Sequence, residues 1–148
     1  MARREKDELI KASEHLKYEY SMLLAVTEAL SAGLVLNQFL KNALLESFAI
    51  HFRTLVDFLY PPANARSDDM AAEDFFDNPA RWSEMRPAIS QILNSGRRRA
   101  HKEIAHLTYA RLAITESEKD WPFGEMTAEI CSLMDLFQEA SGWQLTDN

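Results

Sequence analysis

Ten consecutive residues, Arg97-Arg98-Arg99-Ala100-His101-Lys102-Glu103-Ile104-Ala105-His106, form the densest basic run of the chain and hold two of its four histidines. Arginine can grip two non-bridging phosphate oxygens with a planar fork. Histidine can take or give a proton near neutral pH. Cleavage of RNA without a metal needs those two services, a proton acceptor for the 2'-hydroxyl and positive charge beside the phosphate. At about 100° per residue, Arg99 and His106 fall about 20° short of two full helical turns apart. They share one stripe, with Lys102 and Glu103 between them, and Arg98 and His101 lie on an adjoining stripe with Ala105. One helix face would thus offer a guanidinium, an ammonium and an imidazole to a phosphodiester. The plainer alternative is a solvated basic face, which suits the negative end of a helix macrodipole.

A second group, Glu46, His51, Arg53 and Asp57, belongs to an earlier segment. Glu46 and Arg53 are seven apart and can face the same way, whereas His51 and Arg53 are two apart and cannot. Glu46 or Arg53 could orient the basic run. Alternatively, Arg53 and Asp57 form an ordinary i,i+4 ion pair and His51 is a buried, hydrogen-bonded histidine. His51, His101, His106 and Glu46 could also meet around a metal inside a bundle. However, His101 and His106 are five apart, about 140° around a helix, and neither Glu-x-x-His nor His-Glu-x-x-His occurs. No metal site or cofactor is expected. His15, among Glu14, Lys17 and Glu19, reads as a surface residue. Trp82, Trp121 and Trp143 read as packing anchors, Phe75-Phe76 as packing or a dimer contact, and Cys131 as a small buried hydrophobe.

The elements that must position these residues are helices. Gly and Pro number only 4 and 5, so few long elements are expected. Leu9, Leu16, Tyr20, Leu23, Thr27 and Leu30 predict a first helix over residues 4–32, with Gly33 as a C-cap or close-packing point. Leu36 through Leu59 supply the apolar face of a second, over 34–60, and Pro61-Pro62 stops it. The connection over 61–86 carries Phe75, Phe76 and Trp82, so it is expected to pack down, with a short helix starting at Asn78-Pro79. A third long helix is expected from Pro87 to Leu107 or Arg111, with Gly96 marking a close approach. A polar linker follows over 112–122, and a last helix over 123–140 ends at Ser141-Gly142. No strand-like alternation occurs. The expected fold is all-α, an up-and-down bundle of four main helices plus a short helix in the long second connection, in one domain over 1–148.

Sixteen Lys and Arg stand against 23 Asp and Glu, a formal charge of -7. That balance argues against a general nucleic-acid coat, so any anion must be held by a local cluster. The lone Cys131 excludes an intrachain disulfide and a cysteine-rich zinc site. The charged start, Met1 to Glu8, lacks an apolar signal core, and no stretch has the length of a membrane span. A cytoplasmic protein is expected.

The segment from Asn94 to Arg111 resembles the second motif block of HEPN domains, whose hallmark is Arg, four to six residues, then His. Arg99 through His106 satisfies it with six intervening residues. The wording Lys102-Glu103-Ile104-Ala105-His106-Leu107-Thr108, and the stretch from Asn42 to Leu59, are similar to small bacterial HEPN-like proteins. The resemblance covers about residues 36 to 111. It implies a helical homodimer with two Arg/His motifs around a cleft, binding RNA or a nucleotide. In active members it implies metal-independent endoribonuclease chemistry, often with an antitoxin-type protein partner. His106 would transfer protons and Arg99 would clamp phosphate, helped by Arg98, Lys102 and His101. Two departures stand out: the tighter motif spacing would need Arg where His101 stands, and Thr108 replaces the Tyr of some toxin members. A non-catalytic interaction module is the alternative.

Overall fold

The computed structural model describes residues 4–33, 37–104, 109, 112 and 120–145. Helix α1 runs Lys6–Ser31 and α2 runs Gln38–Leu59. A single 3-10 turn, Ala72–Phe75, and the short α3, Ala80–Met85, fill the connection after α2. Helix α4 runs Gln91–Arg99 and passes directly into a π-helical turn, Ala100–Ile104. Helix α5 runs Phe123–Ser141. Among the described residues there is no strand, and no helix is long and apolar enough to cross a membrane.

Local chemistry sets the ends. Glu8 returns its carboxylate to the Glu5 N–H at 3.2 Å and opens α1. Asn37 caps α2 by accepting the Leu40 N–H at 2.9 Å. Gly33 takes a left-handed φ of 62°, and a Cβ there would meet nothing within 4 Å. It therefore serves to reverse the chain, not to admit a neighbour. Helix α5 closes at Gly142 as its sequence predicts.

Pairings across the bundle give the helix directions. His51 of α2 meets Glu19 of α1, and the two helices join over a short connection, so they run antiparallel. Thr27 of α1 and Thr127 of α5 share a hydrogen bond of 2.8 Å. Rings at Phe48 and Phe58 of α2 meet Phe123 and Phe137 of α5 respectively, so α5 runs parallel to α2. Ser90 donates to Glu129, while Gly96 lies against Met126, so α4 runs against α5. The result is the up-and-down all-α bundle expected from the sequence.

Helix α2 is the central element. It buries Phe48, Ala49, His51, Phe52, Leu55, Val56, Phe58 and Leu59, an apolar face wide enough to meet α1, α4 and α5 together. One aromatic cluster gathers around Phe137, whose ring lies 5.3 Å from Phe58, 5.6 Å from Phe75 and 5.9 Å from Trp82. Phe75 and Phe76 are each 5% exposed, so they pack the core and are not a dimer contact. Trp82 and Trp121 are buried as expected, whereas Cys131 is only half-buried.

Differences from the expected boundaries have physical reasons. The third long helix starts at Gln91 rather than Pro87, because Ser90 caps it by accepting the Leu93 N–H, and Arg86 before the proline is extended. It does not continue as α through 107, since the π-helical turn begins at Ala100. The far end of that expected helix, and most of the 112–122 linker, lie outside the described residues.

Gly96 is the close approach the sequence suggests. A Cβ there would stand 2.7 Å from Met126 Cε and 2.8 Å from Phe52 Cε1. The methionine tip can swing away, but the Phe52 ring is wholly buried and stacked on Phe48. Gly96→Ala should therefore lose about 1–3 kcal/mol to overpacking, offset by about 1 kcal/mol of helix propensity. A thermal melt should show the midpoint lowered by several degrees. An unchanged or raised midpoint would mean that Phe52 yields.

Candidate functional site

The basic run is sorted by burial, and each side of α4 has its own use. Arg97 turns inward. Its Nη1 donates to the Tyr60 carbonyl at 3.0 Å and stands 3.6 Å from the Asp57 carboxylate. Arg99 turns toward the segment before α5. Its Nε and Nη2 donate to the two oxygens of Glu103 at 2.9 and 3.2 Å, and its Nη1 donates to the Asp120 carbonyl at 2.9 Å. The guanidinium carbon also lies 4.4 Å from the Trp121 ring centre, a cation–π stack. Arg98, His101 and Lys102 are exposed on the solvent side. Ala100, between them in sequence, is buried at 3%. The segment is thus an inner anchor, a lateral clasp and an outer row of cationic and imidazole groups.

His106 lies outside the described residues, so the proposed Arg99/His106 stripe is not displayed. Within the described residues α4 gives way at Ala100 to a π turn, whose bonds run i→i+5 in place of i→i+4.

The supporting residues divide. Glu46 is exposed. His51 is 9% exposed, with Nδ1 2.7 Å from Glu19 Oε2 and its ring edge-on to Tyr18 at 6.0 Å. It is the buried, hydrogen-bonded histidine of the structural alternative. Arg53 stands 3.4 Å from Asp57, whose other oxygen faces Arg97. Arg53 therefore reaches the basic run through Asp57, and the arginine it supports is Arg97 rather than Arg99. His15 is exposed. Among the described residues no three His, Cys, Asp or Glu side chains gather as a metal site.

Three partners escaped sequence reasoning: Glu19 for His51, Asp57 for Arg97, and Trp121 for Arg99. For His51 a signal existed, because an imidazole set between Phe48 and Leu55 must be buried and then needs a polar partner. The other two depend on which helix faces meet.

A cleft of about 470 Å³ lies at the opposite end of the bundle, where α1 starts and α5 stops, lined by Arg4, Lys6, Asp74, Phe75, Arg81 and Trp143 among others. It contains none of the expected site residues. Arg4 donates to the Ser67 carbonyl at 2.6 Å and Asp74 accepts the Ala71 N–H, so several of its polar groups serve the fold.

No family model, curated protein or solved structure matches this chain.

Burial raises the Asp57 carboxyl above its ordinary value of 3.8, and the charges of Arg53 and Arg97 only partly oppose this. A carboxyl with a raised folded pKa favours the fold while protonated, and that contribution fades as pH rises through the folded value. Urea unfolding of the natural protein and Asp57→Asn from about pH 4 to pH 7 should show this. The stability of the natural protein relative to the variant should fall as pH rises, then level off. A relative gain with rising pH would mean that the arginines outweigh burial.

Proposed function

We propose that this chain is a HEPN-like helical protein that binds RNA or a nucleotide along the solvent side of α4. The observation that carries the reading is the exposed row Arg98, His101 and Lys102 on a helix whose inner side is fixed to α2 and α5. In a chain of charge -7, phosphate affinity must come from such a local row. The π turn within the row adds support, because these turns recur at functional sites.

Two copies would form the binding unit. Phe39, Leu40 and Ile50 of α2 are 86%, 56% and 55% exposed. They are apolar surface that a second copy would cover. An antitoxin-type protein partner would oppose the row with acidic groups. The cytoplasm is the proposed compartment.

Catalysis is the further step of this reading: His106 transfers the proton and Arg99 stabilises the phosphate, without a metal. A second reading is favoured by one observation. The Arg99 fork already grips Glu103, which suits a binding module that does no chemistry.

Purified protein with labelled RNA, with and without EDTA, beside His106→Ala and Arg99→Ala, separates these readings. Metal-free catalysis should give cleavage that survives EDTA and disappears in both variants. Retained binding with intact RNA would support the module. In either case Arg98→Ala with Lys102→Ala should weaken binding, and log affinity against log salt should slope at roughly -2, as about three phosphate contacts on a single strand give. RNA left unbound by the natural protein would sink both readings.

A further inference from the structure

Resting on the reading of α4 as a phosphate-binding surface, we infer that the Arg99–Glu103 pair is a self-inhibitory latch, which an RNA phosphate opens by taking the place of the Glu103 carboxylate. The argument starts from the shape of the guanidinium. Its Nε–Nη2 edge is the flat two-donor edge that grips carboxylate or phosphate in a fork. Glu103 occupies that edge with both oxygens, at 2.9 and 3.2 Å. The remaining nitrogen, Nη1, holds the Asp120 carbonyl at 2.9 Å, and the guanidinium lies over the Trp121 ring at 4.4 Å. Two of these contacts park the guanidinium, while the third fills the edge a ligand needs. The Asp120 and Trp121 contacts lie away from that edge, so Glu103 can leave it while Arg99 stays stacked on Trp121.

The pair is placed where such an exchange can happen. The Arg99 and Glu103 side chains are 22% and 20% exposed, shielded enough for the pair to hold and open enough for a phosphate to approach. Glu103 belongs to the π-helical turn, and the exposed Arg98, His101 and Lys102 surround the pair in sequence. A phosphate drawn to that row arrives beside the occupied fork. The latch then lowers affinity by the fraction of molecules whose fork is open. A partly shielded ion pair of this kind holds that fraction to about one in five.

The test is anisotropy of a short labelled single-stranded RNA with the full chain. Glu103→Gln should bind about fivefold more tightly than the natural protein. Removing a negative charge beside RNA strengthens binding by simple electrostatics as well, so the decisive comparison is a double-mutant cycle. In an Arg99→Ala background the gain from Glu103→Gln should shrink to its bulk electrostatic part, well below the fivefold gain in the natural background. An equal gain in both backgrounds is bulk charge alone and overturns the latch. No gain, or weaker binding, also overturns it, because Glu103 would then be positioning Arg99 for the ligand. Glu103→Asp, which keeps the charge but shortens the reach, should give a smaller gain and stands in if circular dichroism shows Glu103→Gln misfolded. If Arg98→Ala with Lys102→Ala loses binding while neither Glu103 variant gains, the latch falls and the surface stands. If the natural protein and both Glu103 variants leave the RNA free, latch and surface fall together.

Discussion

The structure depends on how the cut end of α2 is satisfied. Pro61-Pro62 stops the helix abruptly, and a helix C-terminus leaves carbonyls without intrahelical donors. Here they face inward: Leu59 is wholly buried and Tyr60 is 7% exposed. The donors come from later in the chain. Trp82 Nε1 donates to the Leu59 carbonyl at 2.9 Å and Arg86 donates to the same oxygen, while Arg97 donates to the Tyr60 carbonyl at 3.0 Å. Arg86 also lies over the Tyr60 ring, and the Tyr60 hydroxyl donates to the Pro87 carbonyl. Positive charge at this end further suits the helix dipole. These bonds seat both α3 and α4 on α2, so the second half of the bundle is registered against the first.

That constraint explains how the basic run is divided. Arg97 is committed to the end of α2 and to Asp57, so it cannot also serve a ligand. With Arg97 and Gly96 facing inward, helical geometry turns Arg98 outward and Arg99 sideways toward Trp121. The residues that look interchangeable in sequence are therefore three different groups: a structural arginine, a surface arginine and a paired one. Their count overstates the charge displayed at the surface, where the exposed groups of the run are Arg98, His101 and Lys102.

Much of the architecture was legible because it is written in local terms. Helical periodicity marks α1, α2 and α5, Pro61-Pro62 marks a stop, and Gly96 marks a contact too close for a Cβ. Where the sequence misled, a local rule met a stronger one. Proline at the first helical turn suggested a start at Pro87, but the Ser90 cap wins and Pro87 stays in the connection. The π turn left no trace in the hydrophobic pattern, since Ala100 and Ile104 suit either helix. For the basic run, the sequence marks the residues but not their partners. Arg98, Lys102 and His101 stand on the surface, whereas the partners of Arg99 come from Asp120 and Trp121, twenty-one and twenty-two residues on. No spacing rule reports a pairing that depends on how α4 and the start of α5 meet.

The fixed inner side of α4 bears on how weakly charged surfaces bind anions. A chain with net negative charge repels a polyanion at long range, so attraction must be gained at contact. Contact binding is stronger when the groups are already held in place, because less freedom is lost on association. Gly96 seated on Phe52 and Met126, with Arg97 bonded to Tyr60, leaves α4 little room to rotate. Its outer row is therefore presented at a fixed angle, though its long side chains still move. The Arg99 guanidinium is more restricted again, since Trp121, Asp120 and Glu103 hold its plane. A phosphate that replaced the Glu103 carboxylate would meet a donor edge already oriented. It would lose little entropy in the exchange, and the cost would be electrostatic, set by the carboxylate it displaced.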